Sequence, residues 1–222
     1  MKLQIALIVI LSSFLFACGS QTTIHPIDKY LTDKIKVDKN NVPSDSNQYY
    51  FPLEIFKDTS IYKGYDTFID KWYSGQLFAM REPLLFNKRI EKEIYRFTWL
   101  RTFHNPVAIR IEKEGDTYML YWKVCDGAGG YSPGKLIIDK QIIIDRTQWD
   151  TFQNLQKKCN FWNMKTNERI MGEDGAEWIM EGVDSKNYHV AVRWSPNGGA
   201  YFNCCSYLIS LIDLKIKKED KY

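Results

Sequence analysis

Several short segments of this chain place apolar side chains at every second position, and that alternation dictates a sheet. Tyr95, Phe97 and Trp99 alternate with Arg96 and Thr98 between Glu93 and Arg101, although Ile90, Ile94 and Phe97 also fit a helical spacing. Val107, Ile109 and Ile111 alternate with Ala108, Arg110 and Glu112; Gly115-Asp116 separates them from Tyr118, Leu120, Trp122 and Val124. Leu136 to Ile144 carries isoleucine on both faces, and Ala176 to Val183 and Asn187 to Trp194 flank Asp184-Ser185-Lys186. Turns this short connect antiparallel strands. A three-residue loop at 184–186 would set Trp178 opposite Val192 and Met180 opposite Val190 on a buried face. It would also set Glu177 opposite Arg193 and Glu181 opposite His189 as charge pairs on the other face.

Three stretches change to helical spacing. Asp66 caps a run in which Ile69, Trp72, Tyr73, Gln76, Leu77 and Met80 share a stripe, weakened by Gly75 and ended by Pro83. Thr147-Gln148-Trp149-Asp150 has the capping-box arrangement ahead of Trp149, Phe152, Leu155, Cys159 and Trp162. Tyr201 to Ile216 carries Tyr201, Cys205, Leu208 and Ile212 on one stripe. Strand and helix do not alternate regularly and no repeat is present, so a doubly wound sheet is not expected. The expected class is α+β: an antiparallel sheet of about five to six strands with helices packed mainly on one face.

The first residues set the address. Lys2 precedes an apolar stretch from Leu3 to Phe16, too short for the roughly 20 residues of a membrane-spanning helix but matching a signal-peptide core. Leu15-Phe16-Ala17-Cys18 then resembles the lipobox of bacterial lipoproteins. The resemblance implies removal of residues 1–17 and lipidation of Cys18 with a diacylglyceryl group and an amide-linked acyl chain, which would hold the protein stably in a bilayer. Gly19 and Ser20 follow, with no Asp at the second mature position, a pattern that in such lipoproteins favours the outer membrane, facing the periplasm. Residues 18–48 are polar and lack a sustained apolar period; they are expected to be a flexible tether, with His25 solvated, ahead of one domain over 49–222. With 45% apolar and 26% charged residues the chain is not disordered, and a formal charge of +3 gives no basic field for a nucleic-acid partner.

Candidate chemistry is sparse. Cys125, Cys159, Cys204 and Cys205 are disulfide candidates in an oxidising periplasm, with a bridge from Cys159 to Cys204 or Cys205 competing with buried free thiols. No ligand spacing for zinc occurs, and no metal or cofactor is expected. Asp126-Gly127-Ala128-Gly129-Gly130 is glycine-rich, but it leads to a strand and lacks the Lys-Ser/Thr of a phosphate-binding loop, so it reads as a wide hairpin turn. His104, in the Arg101–Asn105 loop, and Asp126 are the catalytic candidates; Asp126, Asp174 and Glu181 form an unspecific carboxylate set. The strings around Asp126-Gly134, Asp174-Gly182 and Arg193-Pro196 resemble segments shared by a family of bacterial hypothetical proteins with no assigned activity. The expectation is a non-catalytic envelope lipoprotein that binds a protein or another envelope component. The alternative is a periplasmic hydrolase, which requires His104, Asp126 and another polar group to converge.

Overall fold

The alternating segments pair edge to edge in one antiparallel sheet. A computed structural model describes residues 25–57, 65–168, 172–217, 220 and 222; residues 1–24, which hold the signal segment and Cys18, lie outside the described residues. The strands are β1 (Glu93–Arg101), β2 (Val107–Glu114), β3 (Thr117–Cys125), β4 (Leu136–Ile143), β5 (Ala176–Val183) and β6 (Tyr188–Trp194). Their spatial order is β4-β3-β2-β1-β5-β6. Thus β1 to β4 form a meander, and the chain returns through a helix to lay β5 beside β1. The class is α+β, as the sequence pattern requires.

Helices α2 (Arg146–Lys158) and α3 (Gly199–Ser210) cover one face of the sheet. Trp149 and Phe152 of α2 and Tyr201, Cys205 and Leu208 of α3 are buried in one cluster with Tyr95, Phe97, Trp99, Ile109, Leu120, Trp178 and Met180. Burying each such side chain stabilises the fold by about 1.5–3 kcal/mol. The opposite face is covered by α1 (Tyr65–Ala79) and by chain without regular structure. Ile69, Tyr73 and Leu77 pack there with Tyr50, Phe51, Phe56 and Leu84 to Phe86 against Leu100, Ala108, Ile179 and Val190.

Several expectations change. Residues 25–48, expected as a flexible tether, pack on the sheet: Ile27 is fully buried, its N–H donates to the Lys186 carbonyl at 2.9 Å, and the His25 carbonyl accepts from Tyr188 N–H at 2.9 Å. His25 is stacked on the buried His189, with ring centroids 4.4 Å apart, rather than solvated. Helix α1 starts at Tyr65, so Asp66 lies inside it, and α3 stops at Ser210, short of Ile216. The capping box of α2 is Asp145 with Gln148, two residues earlier than Thr147 with Asp150. Asp145 Oδ1 accepts from Gln148 N–H at 2.8 Å while Gln148 Oε1 accepts from Asp145 N–H at 2.9 Å.

The β5–β6 register is shifted by one residue from the expected one: Trp178 faces Arg193, Met180 faces Ala191, and Glu181 faces Val190. Two causes are visible. Asp184 Oδ1 accepts from the backbone N–H of both Lys186 and Asn187, each at 2.7 Å, so the loop closes through Asn187. Both faces of the sheet are covered, so apolar side chains on either face find a core and alternation no longer selects the register.

Candidate functional site

The site is built from the polar positions of β1 to β3 and from the end of α1. Helix α1 terminates in a Schellman arrangement: Glu82 N–H donates to the Leu77 carbonyl at 3.1 Å and Arg81 N–H to that of Phe78 at 2.9 Å. Arg81 takes the left-handed position, with φ 53°, where glycine is usual. This termination drives Glu82 onto the sheet, where the alternation that buries Phe97, Ile109 and Trp122 on the far face aims Arg96, Arg110 and Lys123 at it. Glu82 Oε2 accepts from Arg110 Nε at 2.9 Å and lies 3.5 Å from Arg96 Nη1; Oε1 lies 3.4 Å from Lys123 Nζ. The neighbouring carbonyls complete the cradle, that of Arg81 accepting from Lys123 Nζ and that of Pro83 from Arg96 Nη1, both at 2.7 Å.

Glu82 is 1% exposed. Burial by itself would raise its carboxyl, but Arg110, Lys123 and Arg96 together hold it below the usual carboxylate range. Glu181, on the neighbouring strand, accepts from Arg96 Nε at 2.7 Å and from the Tyr188 hydroxyl at 2.9 Å. Complete burial pushes that carboxyl up, and the Arg96 charge opposes the shift.

Above this network lies a cavity of about 750 Å³. Ile94, Arg110, Glu112, Tyr121 and Lys123 of the sheet line its floor, Asp139 and Gln141 of β4 one side, and residues 38–42 with Arg81, Pro83 to Leu85, Lys88, Ile90 and Lys92 the rest. The walls are tied together by Asn41, whose side-chain amide donates to the Leu84 carbonyl at 2.7 Å and to Asn87 Oδ1 at 2.8 Å. Arg110 stacks on the Tyr121 ring, 4.2 Å from its centroid, and pairs with Glu112. Lys92 Nζ is 3.1 Å from Glu112. Among the described residues, six basic side chains line the cavity (Lys39, Arg81, Lys88, Lys92, Arg110, Lys123) against three acidic ones (Asp38, Glu112, Asp139). Such a surface favours an anionic group, which finds charge-assisted donors on several sides. Among the described residues, the lining contains no Ser, Thr, Cys or His.

The candidates singled out in the sequence lie elsewhere. His104 is held on both ring nitrogens: Nδ1 is 2.7 Å from the Tyr222 hydroxyl and Nε2 is 3.2 Å from Asp220 Oδ1. Arg101 Nη1 donates to the Asp220 carbonyl at 3.2 Å, and Trp99 Nε1 donates to the Tyr222 carbonyl at 2.9 Å. Asp126 accepts from Lys135 N–H at 2.7 Å and closes the base of the β3–β4 hairpin. The two loops are adjacent, since Gly129 N–H donates to the His104 carbonyl at 2.9 Å and Asn105 Nδ2 to that of Gly127 at 3.1 Å. Their functional side chains are nevertheless engaged in separate networks. Asp174 is exposed, while Glu181 is committed to Arg96 and Tyr188, so the carboxylate set is not assembled.

The glycine-rich segment is the expected hairpin turn. Gly129 passes so close to β1 that a Cβ would lie 2.7 Å from the Arg101 backbone, and its carbonyl accepts from Trp72 Nε1 at 2.8 Å. Cys125, Cys159, Cys204 and Cys205 are buried free thiols. Cys159 and Cys204 share a hydrogen bond, whereas Cys205 Sγ lies 3.8 Å from Met180 Sδ. Burial and the charge of Asp126 push the Cys125 thiol up to about 11. Among the described residues, no cluster of three or more metal-ligating side chains is present, and no helix is long and apolar enough to cross a membrane.

Glu82, Arg96, Arg110 and Lys123 are the residues that sequence reasoning missed. Their signal was the placement of charge at the polar positions of adjacent strands, which reads equally well as a solvated face. Comparison with known protein families and with curated proteins returns no match.

Proposed function

We propose that the chain is a bacterial envelope lipoprotein, anchored through acylated Cys18, whose domain is a non-catalytic binding module that takes an anionic group into the cavity above Arg110 and Lys123. The observation that carries the binding reading is the lining: six basic side chains against three acidic ones around a cavity of about 750 Å³, over floor cations held in place by buried Glu82. The hydrolase alternative draws less support, because both ring nitrogens of His104 are bonded to residues 220 and 222 and the Asp126 carboxylate closes a hairpin.

The anchoring reading rests on Leu15-Phe16-Ala17-Cys18. Two or more acyl chains on Cys18 would hold the domain at a membrane, with the outer membrane and a periplasmic orientation as the expected address. Mass spectrometry of the N-terminal peptide tests it, and an unmodified Cys18 in cells that process lipoproteins would remove the claim.

The binding reading is tested by thermal unfolding with citrate and with inorganic pyrophosphate, each against sodium chloride at equal ionic strength. Wild type should gain several degrees with at least one polyanion beyond the salt control, as ligand linkage requires. The double variant Lys88→Glu, Arg81→Glu should lose that gain while keeping its unliganded melting temperature. Equal response of both proteins to both anions would sink the cavity as the binding site.

A further inference from the structure

The two edges of the sheet are finished differently. Along β6 the outer edge is occupied: Tyr188 N–H donates to the His25 carbonyl at 2.9 Å and Val192 N–H to the Thr166 carbonyl at 2.7 Å. Along β4, among the described residues, no backbone group of 136–143 bonds to any segment other than β3. This open edge is also apolar: Ile137 is 56%, Ile142 39% and Ile143 78% exposed. Soluble proteins rarely leave so apolar an edge unpaired, because it is a template for another strand.

The strand carries its own description of what pairs with it. Past a bulge at Ile137, where β4 slips against Val124 and Cys125 of β3, it reads Ile138-Asp139-Lys140-Gln141-Ile142, symmetric about Lys140 in its pattern of apolar and polar residues. We propose that β4 pairs antiparallel with β4 of a second copy of this chain, about a two-fold axis that passes through Lys140 normal to the sheet. An axis in that direction keeps each face of one copy continuous with the same face of the other, so opposite residues must be of equal parity in the strand. Centred on Lys140, the pairing sets Ile138 opposite the second copy's Ile142. It sets Asp139 opposite Gln141 and, by symmetry, repeats each pair.

Neighbouring registers fail. Centred on Asp139, the pairing opposes two carboxylates and sets Ile138 against Lys140; centred on Gln141, it sets Ile142 against Lys140 and Ile143 against Asp139. Like charges directly opposite, and apolar against charged, both weaken a ladder. The register through Lys140 has one unfavourable pair, Lys140 with itself. That side chain leans over its own sheet, with Nζ 5.7 Å from the Trp122 ring centroid, which draws the two ammonium groups away from the axis. The occupant is therefore a second copy, because a strand of another protein would have no reason to match a symmetric pattern. The inference does not depend on what the cavity binds, although the axis leaves both cavities on one face, flanking the seam through Asp139 and Gln141.

Site-directed cross-linking of the full chain in its own membranes tests the register. Copper phenanthroline with oxygen serves as the oxidant, taking two electrons and two protons from a pair of thiols as the disulfide forms. Lys140→Cys should give a covalent homodimer on non-reducing gels well above the unsubstituted protein, since the two positions meet on the axis. Ile143→Cys alone should not, because the two positions lie roughly 20 Å apart along the paired strands. Co-expressed Ile138→Cys and Ile142→Cys chains should link to each other. Adding Ile143→Lys to Lys140→Cys should reduce the dimer at least tenfold while the circular dichroism of the variant stays that of wild type. Equal linking by Lys140→Cys and Ile143→Cys, no linking by either, or linking of Lys140→Cys to a different protein would each overturn the proposal.

Discussion

Arg96 and Glu181 face each other across the β1–β5 ladder with both side chains fully buried, and Arg96 Nε donates to Glu181 Oε2 at 2.7 Å. The pair sits in one cross-strand row with Arg110 and Tyr121, so it connects the core beneath α1 to the floor of the cavity. Removing one partner strands the other in a site that water does not reach. Glu181→Gln is predicted to cost about 3–5 kcal/mol, and Arg96→Met combined with Glu181→Gln to cost less than the sum of the two single changes. Urea unfolding of the four proteins measures the coupling; additive losses would show that the pair is not the unit.

Glu82 serves three cations at once, so its loss should exceed that of any surface carboxylate. Glu82→Gln is predicted to destabilise by about 3–5 kcal/mol, and Glu114→Gln, at an exposed partner of Lys92, by no more than about 0.5 kcal/mol. The folded protein holds Glu82 below the usual carboxylate range, so its contribution is present at neutral pH and is lost as pH falls through its depressed pKa. The stability difference between wild type and Glu82→Gln should therefore shrink in acid.

His189 sets a second acid dependence. Burial, then the charge of His25 stacked upon it, lower its pKa to about 3, against 6.5 when free. The unfolded chain thus binds the proton first as pH falls from 6.5, and stability drops across the window from 6.5 to about 3 by up to ~1.4 kcal/mol per pH unit. His189→Gln should flatten that part of the stability profile; an unchanged slope would mean that His189 is charged in the fold.

The Cys125 and Cys205 thiols should be inert in the native state. Burial raises the Cys125 thiol to about 11 and that of Cys205 well above its ordinary value, so little thiolate exists at neutral pH. Maleimide labelling of Cys125 and Cys205 at pH 7 should follow unfolding rather than precede it. Any bridge formed under oxidising conditions is predicted to join Cys159 and Cys204, which share a hydrogen bond, and peptide mapping would detect a competing pair.

The strands themselves were legible in the amino-acid order because their signal is local. Glu93–Arg101 and Ala176–Val183 begin and end where alternation begins and ends. The stripe Tyr201, Cys205, Leu208 and Ile212 is buried as its helical spacing demands, although the last of these lies beyond the end of α3. The cap of α2 was legible only in kind, since Asp145 and Thr147 both precede a suitable partner and the geometry of the preceding strand chooses between them.

Tertiary structure decided the rest. Arg96, Arg110 and Lys123 look like a solvated face until α1 ends in a turn that lays Glu82 upon them, and the polar residues after His25 look like tether until Ile27, Tyr50 and Phe51 find a second sheet face to cover. That second cover removed the inside-outside contrast on which the β5–β6 register reading depended, and it left β4 as the open edge. Periodicity determines which residues share a face, because it follows from bond geometry along a few residues. What that face meets depends on chain segments tens of residues away, and only the folded packing brings them together.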